Sequence, residues 1–255
     1  MNLNSSFTGW TGKTAFVTGA TAGIGKVLVE QLIANKIRVV GCGRREERLQ
    51  QMEKELGPDH FIGIPCDLTQ GEAAIQSLFE SIEKKVGPID ILINNAGIGS
   101  FSLILGEESH YSDWQKVLQL NVLAAAECMH QAFQNMKKHN VEGGQIINMS
   151  SVSGHAVPSG YTGIAMYSAS KHALRALTEG VRQELRAQKS SCRICEISPG
   201  LVKTEFFDDM NREDIYDDKP FIKAEDVAST VLYILSTPAH MEVNDILLRP
   251  TGQIA

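Results

Sequence analysis

Short apolar runs alternate with longer stretches of one-sided apolar pattern along almost the whole chain. Seven runs rich in β-branched residues predict strands at 14–18, 38–42, 61–65, 89–93, 145–149, 193–197 and 246–248. Stretches with helical spacing predict amphipathic helices at 24–35, 46–56, 72–86, 112–140, 165–189 and 224–236. This alternation predicts an α/β fold, a doubly wound parallel sheet of seven strands with helices on both faces.

One segment interrupts the alternation, at about 205–222. It holds seven acidic residues, which are Glu205, Asp208, Asp209, Glu213, Asp214, Asp217 and Asp218. Among them stand the apolar residues Phe206, Phe207, Met210, Ile215 and Tyr216. Apolar anchors with a solvated acidic face suit a lid over a binding site. Since the chain contains no internal repeat and no linker-like tract, we expect residues 1–255 to form a single domain.

Composition excludes several classes of function. With 24 basic and 30 acidic residues the net charge is -6, which argues against a nucleic-acid or anionic-membrane partner. Five cysteines are too few and too scattered for a disulfide framework, which favours a reducing compartment. Residues 1–12 are polar, and no long uncharged apolar stretch follows, so we expect a cytoplasmic protein without a membrane span.

A glycine-rich turn follows the first predicted strand directly. Its candidate binding residues are Gly19, Thr21, Gly23, Ile24 and Gly25. Glycines at this point let the chain turn tightly, so that a helix N-terminus directs free N–H groups at a phosphate. The strand before and the helix after it favour a dinucleotide site over a turn that only eases packing.

The end of the second predicted strand indicates which dinucleotide binds. An NAD-binding protein would place a carboxylate there for the ribose 2'-hydroxyl, but this chain has Gly43, Arg44 and Arg45. A guanidinium suits a 2'-phosphate. The alternative is that both arginines are solvated residues at the start of a helix, where the helix dipole disfavours cations. The pattern therefore favours NADP(H) over NAD(H).

Tyr167 and Lys171 are four residues apart and share one face of a predicted helix. A nearby ammonium favours the phenolate, so this pair predicts a tyrosine of lowered pKa that exchanges protons with a substrate. Such spacing also occurs by chance in surface packing. Ser151, at the end of the fifth predicted strand, supports the catalytic interpretation because strand ends face the ligand crevice of such sheets.

Other reaction classes lack their motifs. Histidines 110, 130, 139, 155 and 172 have no metal-ligand spacing with cysteines or carboxylates, so we expect no metal site. The chain has no Gly-x-Ser-x-Gly elbow of a hydrolase and no Gly-Lys-Ser/Thr after its glycine turn.

Taken in order, these features resemble the short-chain dehydrogenase/reductase family over essentially the whole chain. The motifs are the turn at 18–25, Asn94-Asn95-Ala96-Gly97, Asn121, Ser151, Tyr167-x-x-x-Lys171 and Pro199-Gly200. The resemblance implies an NAD(P)-dependent oxidoreductase on a Rossmann sheet, a homodimer or homotetramer, acting on an alcohol or carbonyl.

The family's pattern also implies a role for each residue. Tyr167 would be the general acid/base, Lys171 would lower its pKa and hold the nicotinamide ribose, and Ser151 would orient the substrate oxygen. Asn121 would hold a water in the proton relay to Lys171. The other cofactor-binding residues implied are Asp67 and Leu68 at the adenine, Asn94, Ala96 and Gly97 at the ribose, and Pro199, Gly200, Val202 and Thr204 at the nicotinamide carboxamide.

The stretch between Ser151 and Tyr167 is a few residues longer than in many family members, and the extra residues fall in 159–164. With 178–186 and 235–240, this insertion resembles a subgroup that contains insect farnesol dehydrogenases and a mammalian cytosolic 3-/17-ketosteroid reductase. The resemblance implies a lipophilic carbonyl or alcohol substrate. The alternative is a non-enzymatic, NADP-binding scaffold or regulatory protein on the same fold.

Overall fold

The computed structural model describes residues 7–210 and 212–253. Its strands are β1 (Thr14–Thr18), β2 (Arg38–Gly43), β3 (Phe61–Pro65), β4 (Ile91–Asn94), β5 (Gln145–Met149), β6 (Arg193–Pro199), β7 (Val202–Lys203), β8 (Ile222–Lys223) and β9 (Asp245–Leu248). Seven of them form one parallel sheet in the order β3-β2-β1-β4-β5-β6-β9. The predicted doubly wound, Rossmann-type sheet is confirmed.

In the part of the chain that the structure describes, seven α-helices connect the strands. They are α1 (Gly23–Ala34), α2 (Glu46–Leu56), α3 (Glu72–Val86), α4 (Tyr111–Leu118), α5 (Ala125–Lys138), α6 (Ala165–Ala187) and α7 (Ala224–Ser236). Short 3-10 turns occupy Phe7–Trp10, Leu68–Gln70, Val152–Gly154, Glu205–Met210 and Glu213–Tyr216. Among the described residues, no helix is long and apolar enough to cross a bilayer.

The central strand explains why the sheet is covered on both faces. All five residues of β1 are buried, as expected of a parallel strand with helices above and below it. Ala15 and Val17 belong to the core under α1, α2 and α7, whereas Phe16 belongs to the core under α3 and α5. Alternate side chains of one strand thus enter two separate hydrophobic cores.

The chain changes direction within the sheet at β1, which lies between β2 and β4. In a doubly wound sheet, a crevice opens at the carboxyl ends of the two strands where the order reverses. The glycine turn follows β1 and the run Asn94–Gly97 begins at the end of β4. The fold therefore brings these two motifs to the same crevice.

Several elements differ from their predicted form. The single helix predicted at 112–140 is α4 and α5 joined by a π-helical segment, Gln119–Ala124. Strand β4 begins at Ile91, two residues later than predicted. The two-residue strands β7 and β8 pair in parallel on either side of the predicted lid and were not expected.

Candidate active site

The glycine turn is fastened to the end of β4. Gly19 has φ +67°, a left-handed conformation that favours glycine. Thr18 Oγ1 accepts hydrogen bonds from the backbone N–H groups of Asn95 and Ala96, both at 3.0 Å. The Asn95 amide donates in return to the Thr18 carbonyl at 3.0 Å and to the Gly19 carbonyl at 3.2 Å. The turn is thereby fixed before any ligand arrives.

The N-terminus of α1 faces the crevice. No side chain within the described residues caps it, since Ala22 occupies the N-cap position. Free N–H groups at a helix N-terminus attract an anion. Gly25 lies behind this surface, where an added Cβ would come within 2.1 Å of the Gly19 carbonyl oxygen. Its lack of a side chain lets α1 approach the turn.

A cavity of about 960 Å³ runs along this crevice. It brings together most of the residues predicted to bind cofactor or substrate, namely Gly19, Thr21, Gly23, Ile24, Arg44, Arg45, Asp67, Leu68, Ala96, Gly97, Ser151, Tyr167, Lys171, Pro199, Gly200, Val202 and Thr204. Within the described chain, the predicted residues outside its lining are Gly25, Asn94 and Asn121.

Asn94 is a buried support for the crevice. Its side-chain amide donates to Asn148 Oδ1 at 3.0 Å and to the Ala125 carbonyl at 3.1 Å. Asn148 in turn donates to Thr178 Oγ1 on α6 at 2.8 Å. This polar ladder ties β4 to β5 and α6, beneath the predicted ribose site.

Asn121 is held by the π-helical segment. Its Oδ1 accepts from the Ile98 N–H at 2.9 Å, and its Nδ2 donates to the Ile98 carbonyl at 2.9 Å and to Ser170 Oγ at 3.0 Å. A Cβ added to Gly97 would lie 3.4 Å from Asn121 Oδ1 and 3.6 Å from Lys171 Nζ. The two side chains therefore converge beneath Gly97, and the proton relay through them stays a prediction.

Asp67 and Arg44 lie at the opposite end of the cavity. Asp67 accepts from the Thr69 N–H at 3.0 Å and from Thr69 Oγ1 at 2.7 Å. Although partial burial opposes it, these bonds and the charge of Arg44 lower the pKa of Asp67. A carboxylate beside a cation at this end fits the adenosine half of a dinucleotide.

Arg45 and Arg48 form an ion-pair cluster that the sequence did not predict. Both guanidinium groups reach Glu205, with Nη1–Oε2 distances of 3.4 Å for Arg45 and 2.9 Å for Arg48. Arg45 also donates to Thr21 Oγ1 at 3.3 Å. The first residue of the predicted lid is thus linked to the start of α2.

Tyr167 projects from the first turn of α6 into the apolar end of the cavity. Burial raises its pKa to about 12, although a hydrogen bond with Ser151 lowers it in part. The predicted lowering of the tyrosine pKa does not occur in this structure. Lys171 Nζ lies 5.7 Å from the Tyr167 ring centroid, and burial is the largest influence on the pKa of Tyr167.

Lys171 is buried, with 4% of its surface exposed. Its ammonium donates to the Met149 carbonyl at 2.8 Å. Burial lowers the pKa of Lys171 to about 8, and the charge of Glu196 opposes that shift. Lys171 is therefore a cation at neutral pH that releases its proton readily.

A hydrogen-bonded chain connects Glu196, 2% exposed on β6, to the surface. Arg175 lies 2.6 Å from His155 Nδ1, and because an arginine can only donate, Nδ1 is the acceptor. The neutral imidazole therefore carries its proton on Nε2, which donates to Ser198 Oγ at 2.9 Å. Ser198 then donates to Glu196 Oε1 at 3.1 Å. His155, Glu196 and Asp245 bring ligand-type atoms within 4.8 Å of one another, a proximity that the sequence did not suggest. Arg175 supplies a cation beside these groups, and the expectation of no metal site stays a prediction.

The predicted lid covers the end of the cavity that holds Tyr167 with a series of aromatic side chains. Phe206 lies 5.9 Å from Tyr167 between ring centroids, and Phe207 lies 5.2 Å from Phe206 and 5.7 Å from Tyr216. The Tyr216 hydroxyl is fixed to the backbone at Val202 and Thr204, at 3.0 and 3.1 Å. Asn211 lies outside the described residues, as do the side chains of Asp209 and Glu213.

The insertion at 159–164 contributes to the same end of the cavity. Tyr161 and Ile164 line it, and Lys219 from the lid lies over the Tyr161 ring at 4.4 Å from its centroid. Gly163 has φ +86°, and a Cβ there would lie 2.5 Å from the Phe101 carbonyl oxygen. The insertion thus packs between the lid and the loop that follows β4.

Sequence reasoning missed Asn95, Arg48 and Glu205 as parts of the site. Asn95 stood inside a recognised motif, and Arg48 lies three residues after Arg45, so both carried a signal. Glu205 carried none, because 157 residues separate it from Arg48.

Comparison with known proteins supports the resemblance drawn from the motifs. The family described as short chain dehydrogenase matches residues 13–215. The chain is 40% identical to dehydrogenase/reductase SDR family member 11 of Homo sapiens, over 96% of each chain. It is 36% identical to farnesol dehydrogenase of Aedes aegypti, over 96% of this chain and 98% of the relative. A solved closed form of serine dehydrogenase complexed with NADP+ superposes with a TM-score of 0.85 at 30% identity, over 95% of this chain and 96% of that one.

Proposed function

Since the chain belongs to the short-chain dehydrogenase/reductase family, we propose that it is an NADP(H)-dependent alcohol dehydrogenase or carbonyl reductase acting on CH–OH donors. It transfers hydride between the nicotinamide and a lipophilic carbonyl or alcohol. The observation that carries this proposal is one cavity with a phosphate-type cradle at one end and Ser151, Tyr167 and Lys171 at the other.

The cavity residues fit a dinucleotide in three ways. The uncapped N-terminus of α1 suits a diphosphate, and Arg44 suits a 2'-phosphate. Asp67 suits the adenine. Gly19 is already so close to Ala96 that an added Cβ would lie 3.0 Å from its Cα, so a side chain would crowd the backbone that holds the turn. The NADP-bound serine dehydrogenase supports the same choice of cofactor.

Tyr167 carries the proton that the carbonyl oxygen of the substrate takes up during reduction. With its pKa raised to about 12, its hydroxyl is protonated at neutral pH and can donate to a substrate oxygen held by Ser151. Lys171, cationic at neutral pH, then returns a proton to Tyr167 through the region bounded by Asn121. A nicotinamide cofactor, when bound, would supply the hydride in reduction and accept it in oxidation.

The substrate end of the cavity is rich in apolar and aromatic side chains. Phe206, Phe207 and Met210 line it from the lid, and Tyr161 lines it from the insertion. Mostly apolar walls with few polar anchors suit a lipophilic ligand. We therefore propose a terpenoid such as farnesol or farnesal, or a 3- or 17-ketosteroid. The farnesol dehydrogenase relative supports the first class.

NADPH consumption by the purified protein tests this proposal. Matched panels of terpenoid aldehydes, 3-ketosteroids and 17-ketosteroids are assayed, and Tyr167→Phe serves as the blank. Turnover on one panel that disappears in the variant would support both the reaction and the substrate class. NADPH binding without turnover on any panel would favour the scaffold alternative.

Tyr167→Phe is expected to lower kcat by about 10²- to 10⁴-fold, the usual contribution of a general acid. NADPH affinity should remain within about twofold, because the hydroxyl is proposed to act on the substrate oxygen. Single-turnover kinetics and fluorescence titration of NADPH measure the two quantities separately. A variant with normal turnover would remove Tyr167 from the proposed mechanism.

We also propose that the protein works in the cytoplasm as a homodimer or homotetramer. The sparse cysteines support a reducing compartment, and in this structure all five thiols are free. Exposed apolar side chains on and near α4 support subunit packing, with Tyr111 62% exposed and Leu118 37% exposed.

A further inference from the structure

Glu205 reaches from the first turn of the lid, across the mouth of the cavity, to the start of α2. Its Oε2 is 2.9 Å from Arg48 Nη1 and 3.4 Å from Arg45 Nη1. The hydrogen bond and charge of Arg48, followed by Arg45, lower the pKa of Glu205, so it is ionised at neutral pH. A carboxylate thus occupies two of the three guanidinium groups near the adenosine end of the cavity.

Two of these side chains, Arg45 and Glu205, line the space that a 2'-phosphate would enter, and Arg48 adjoins it through Glu205. Arg44, Arg45 and Thr21 line the cavity beside Gly43, and Arg45 Nη2 lies 3.3 Å from Thr21 Oγ1. A Cβ added to Gly43 would come within 3.1 Å of Thr21, so glycine keeps this end open. A phosphate drawn to these arginines meets the negative charge of Glu205.

We propose that Glu205 is a specificity-determining residue that competes with the cofactor's 2'-phosphate for Arg45 and Arg48. This inference rests on the proposed function, because it assumes an NADP-type cofactor. When the phosphate binds, Glu205 gives up at least one of its ion pairs, since like charges repel at such short range. A cofactor without the 2'-phosphate leaves the cluster intact.

The cluster is suited to exchange because it is weak. The side chains of Arg45, Arg48 and Glu205 are 46%, 45% and 52% exposed, and exposed ion pairs contribute little to stability. A charged phosphate with more acceptor oxygens can therefore replace the carboxylate.

The competition reaches the catalytic end through the lid. The next residue, Phe206, packs on Tyr167 with 5.9 Å between ring centroids. Release of Glu205 would therefore loosen the segment that touches Tyr167. Binding at the adenosine end and the position of the lid are then coupled, and such coupling acts equally in both directions.

Binding of cofactor fragments tests the inference without any turnover. Wild type and Glu205→Gln are titrated by calorimetry with adenosine 2',5'-bisphosphate and with adenosine 5'-monophosphate. We expect Glu205→Gln to bind the bisphosphate about 3- to 10-fold more tightly and the monophosphate within about twofold of wild type.

Asp208→Asn is the matched control. Asp208 is exposed in the same 3-10 turn and forms no ion pair with the described residues, so this variant removes the same charge without freeing an arginine. Its affinity for the bisphosphate should stay within about twofold of wild type.

Unchanged or weaker bisphosphate binding in Glu205→Gln would overturn the inference, as would equal tightening in Asp208→Asn. If wild type prefers the bisphosphate and Glu205→Gln changes nothing, only the inference fails. If neither protein prefers the bisphosphate, the NADP preference of the proposed function is wrong and the inference falls with it.

Discussion

At the scale of single residues, Lys171 carries a positive charge in a buried position, where the loss of solvent makes a charge unfavourable. Its ammonium has one backbone acceptor, the Met149 carbonyl, and burial lowers its pKa to about 8. Glu196 is the carboxylate whose charge opposes that shift. The lysine therefore loses its proton within the range in which enzymes are assayed, whereas Tyr167, with a pKa of about 12, keeps its own.

These pKa values predict the pH dependence of reduction. Lys171 is protonated below about pH 8, so kcat/KM for NADPH-dependent reduction should be constant there. Above that pH the rate should fall by up to about tenfold per unit, because the group that returns a proton to Tyr167 is lost. Rates measured from pH 6 to pH 10 in constant ionic strength check this. A flat profile to pH 10 would contradict it.

Glu196→Gln provides the second arm of the same experiment. Removing a carboxylate whose charge raises the pKa of Lys171 should move the break in the profile to lower pH. The variant keeps the shape of the side chain and its acceptor for Ser198 Oγ, so a shift without loss of stability would be electrostatic. An unchanged break would show that the charge of Glu196 does not set the pKa of Lys171.

The site could be predicted from the sequence wherever its residues share one element or one strand edge. Tyr167 and Lys171 share a helical face, and Ser151 follows a strand whose carboxyl end borders the crevice. The pKa of Tyr167 could not be predicted from that spacing, since it depends on burial beneath the lid. The contact of Glu205 with Arg48 depends on the path of a long loop, which local pattern does not encode.

At the scale of elements, the junction of β1 with α1 has no spare room. A Cβ on Gly25 would lie 2.1 Å from the Gly19 carbonyl oxygen and 2.6 Å from Asn95 Nδ2. The added Cβ would therefore meet the backbone of the turn and also the Asn95 amide that holds the turn in place. The helix can therefore accept a side chain at this position only by moving away from the sheet.

Gly25→Ala should consequently destabilise the protein by about 1–3 kcal/mol, as overpacking of a tight junction does. Gly180→Ala on α6 is the control, because no described heavy atom outside its own helix lies within 4 Å of the added Cβ. That variant should be neutral or stabilise by about 0.5–1 kcal/mol. Urea unfolding monitored by circular dichroism compares them, and equal effects would contradict the steric argument.

Element type followed from hydrophobic periodicity, but two features did not. The π-helical segment Gln119–Ala124 adds a wider turn to a continuous apolar pattern, so a single helix fits the sequence equally well. Strands β7 and β8 have two residues each, too few to show any period. Both features lie next to the site, where local rules are most often overridden.

At the scale of the whole molecule, order within the sheet determines where chemistry can occur. The carboxyl ends of adjacent parallel strands lie on the same side of the sheet. The motifs that follow β1, β4, β5 and β6 therefore meet there, although they are far apart in the chain. The alternating pattern along the sequence was sufficient to predict that the ligand crevice lies at the carboxyl ends of the strands. The amino ends of the strands carry none of the proposed site residues.

The exposed apolar residues predict self-association. Tyr111 and Leu118 are seven residues apart and share one face of α4. Sedimentation of the 27.9 kDa chain should therefore give twice or four times that mass. Leu118→Lys should shift the distribution toward the monomer, whereas Tyr233→Lys, on α7 across the sheet and 47% exposed, should not. A monomeric wild type would contradict the proposed assembly.

The contacts of the lid also constrain how this scaffold can change its substrate in evolution. Arg212 lies 4.5 Å from the ring centroid of Phe101, and Lys219 lies 4.4 Å from that of Tyr161. These contacts therefore join three segments that are distant in sequence. A lid without Arg212 and Lys219 would lose both cation–π contacts, so we expect a different lid to keep its position only when the loop after β4 and the insertion at 159–164 are exchanged with it.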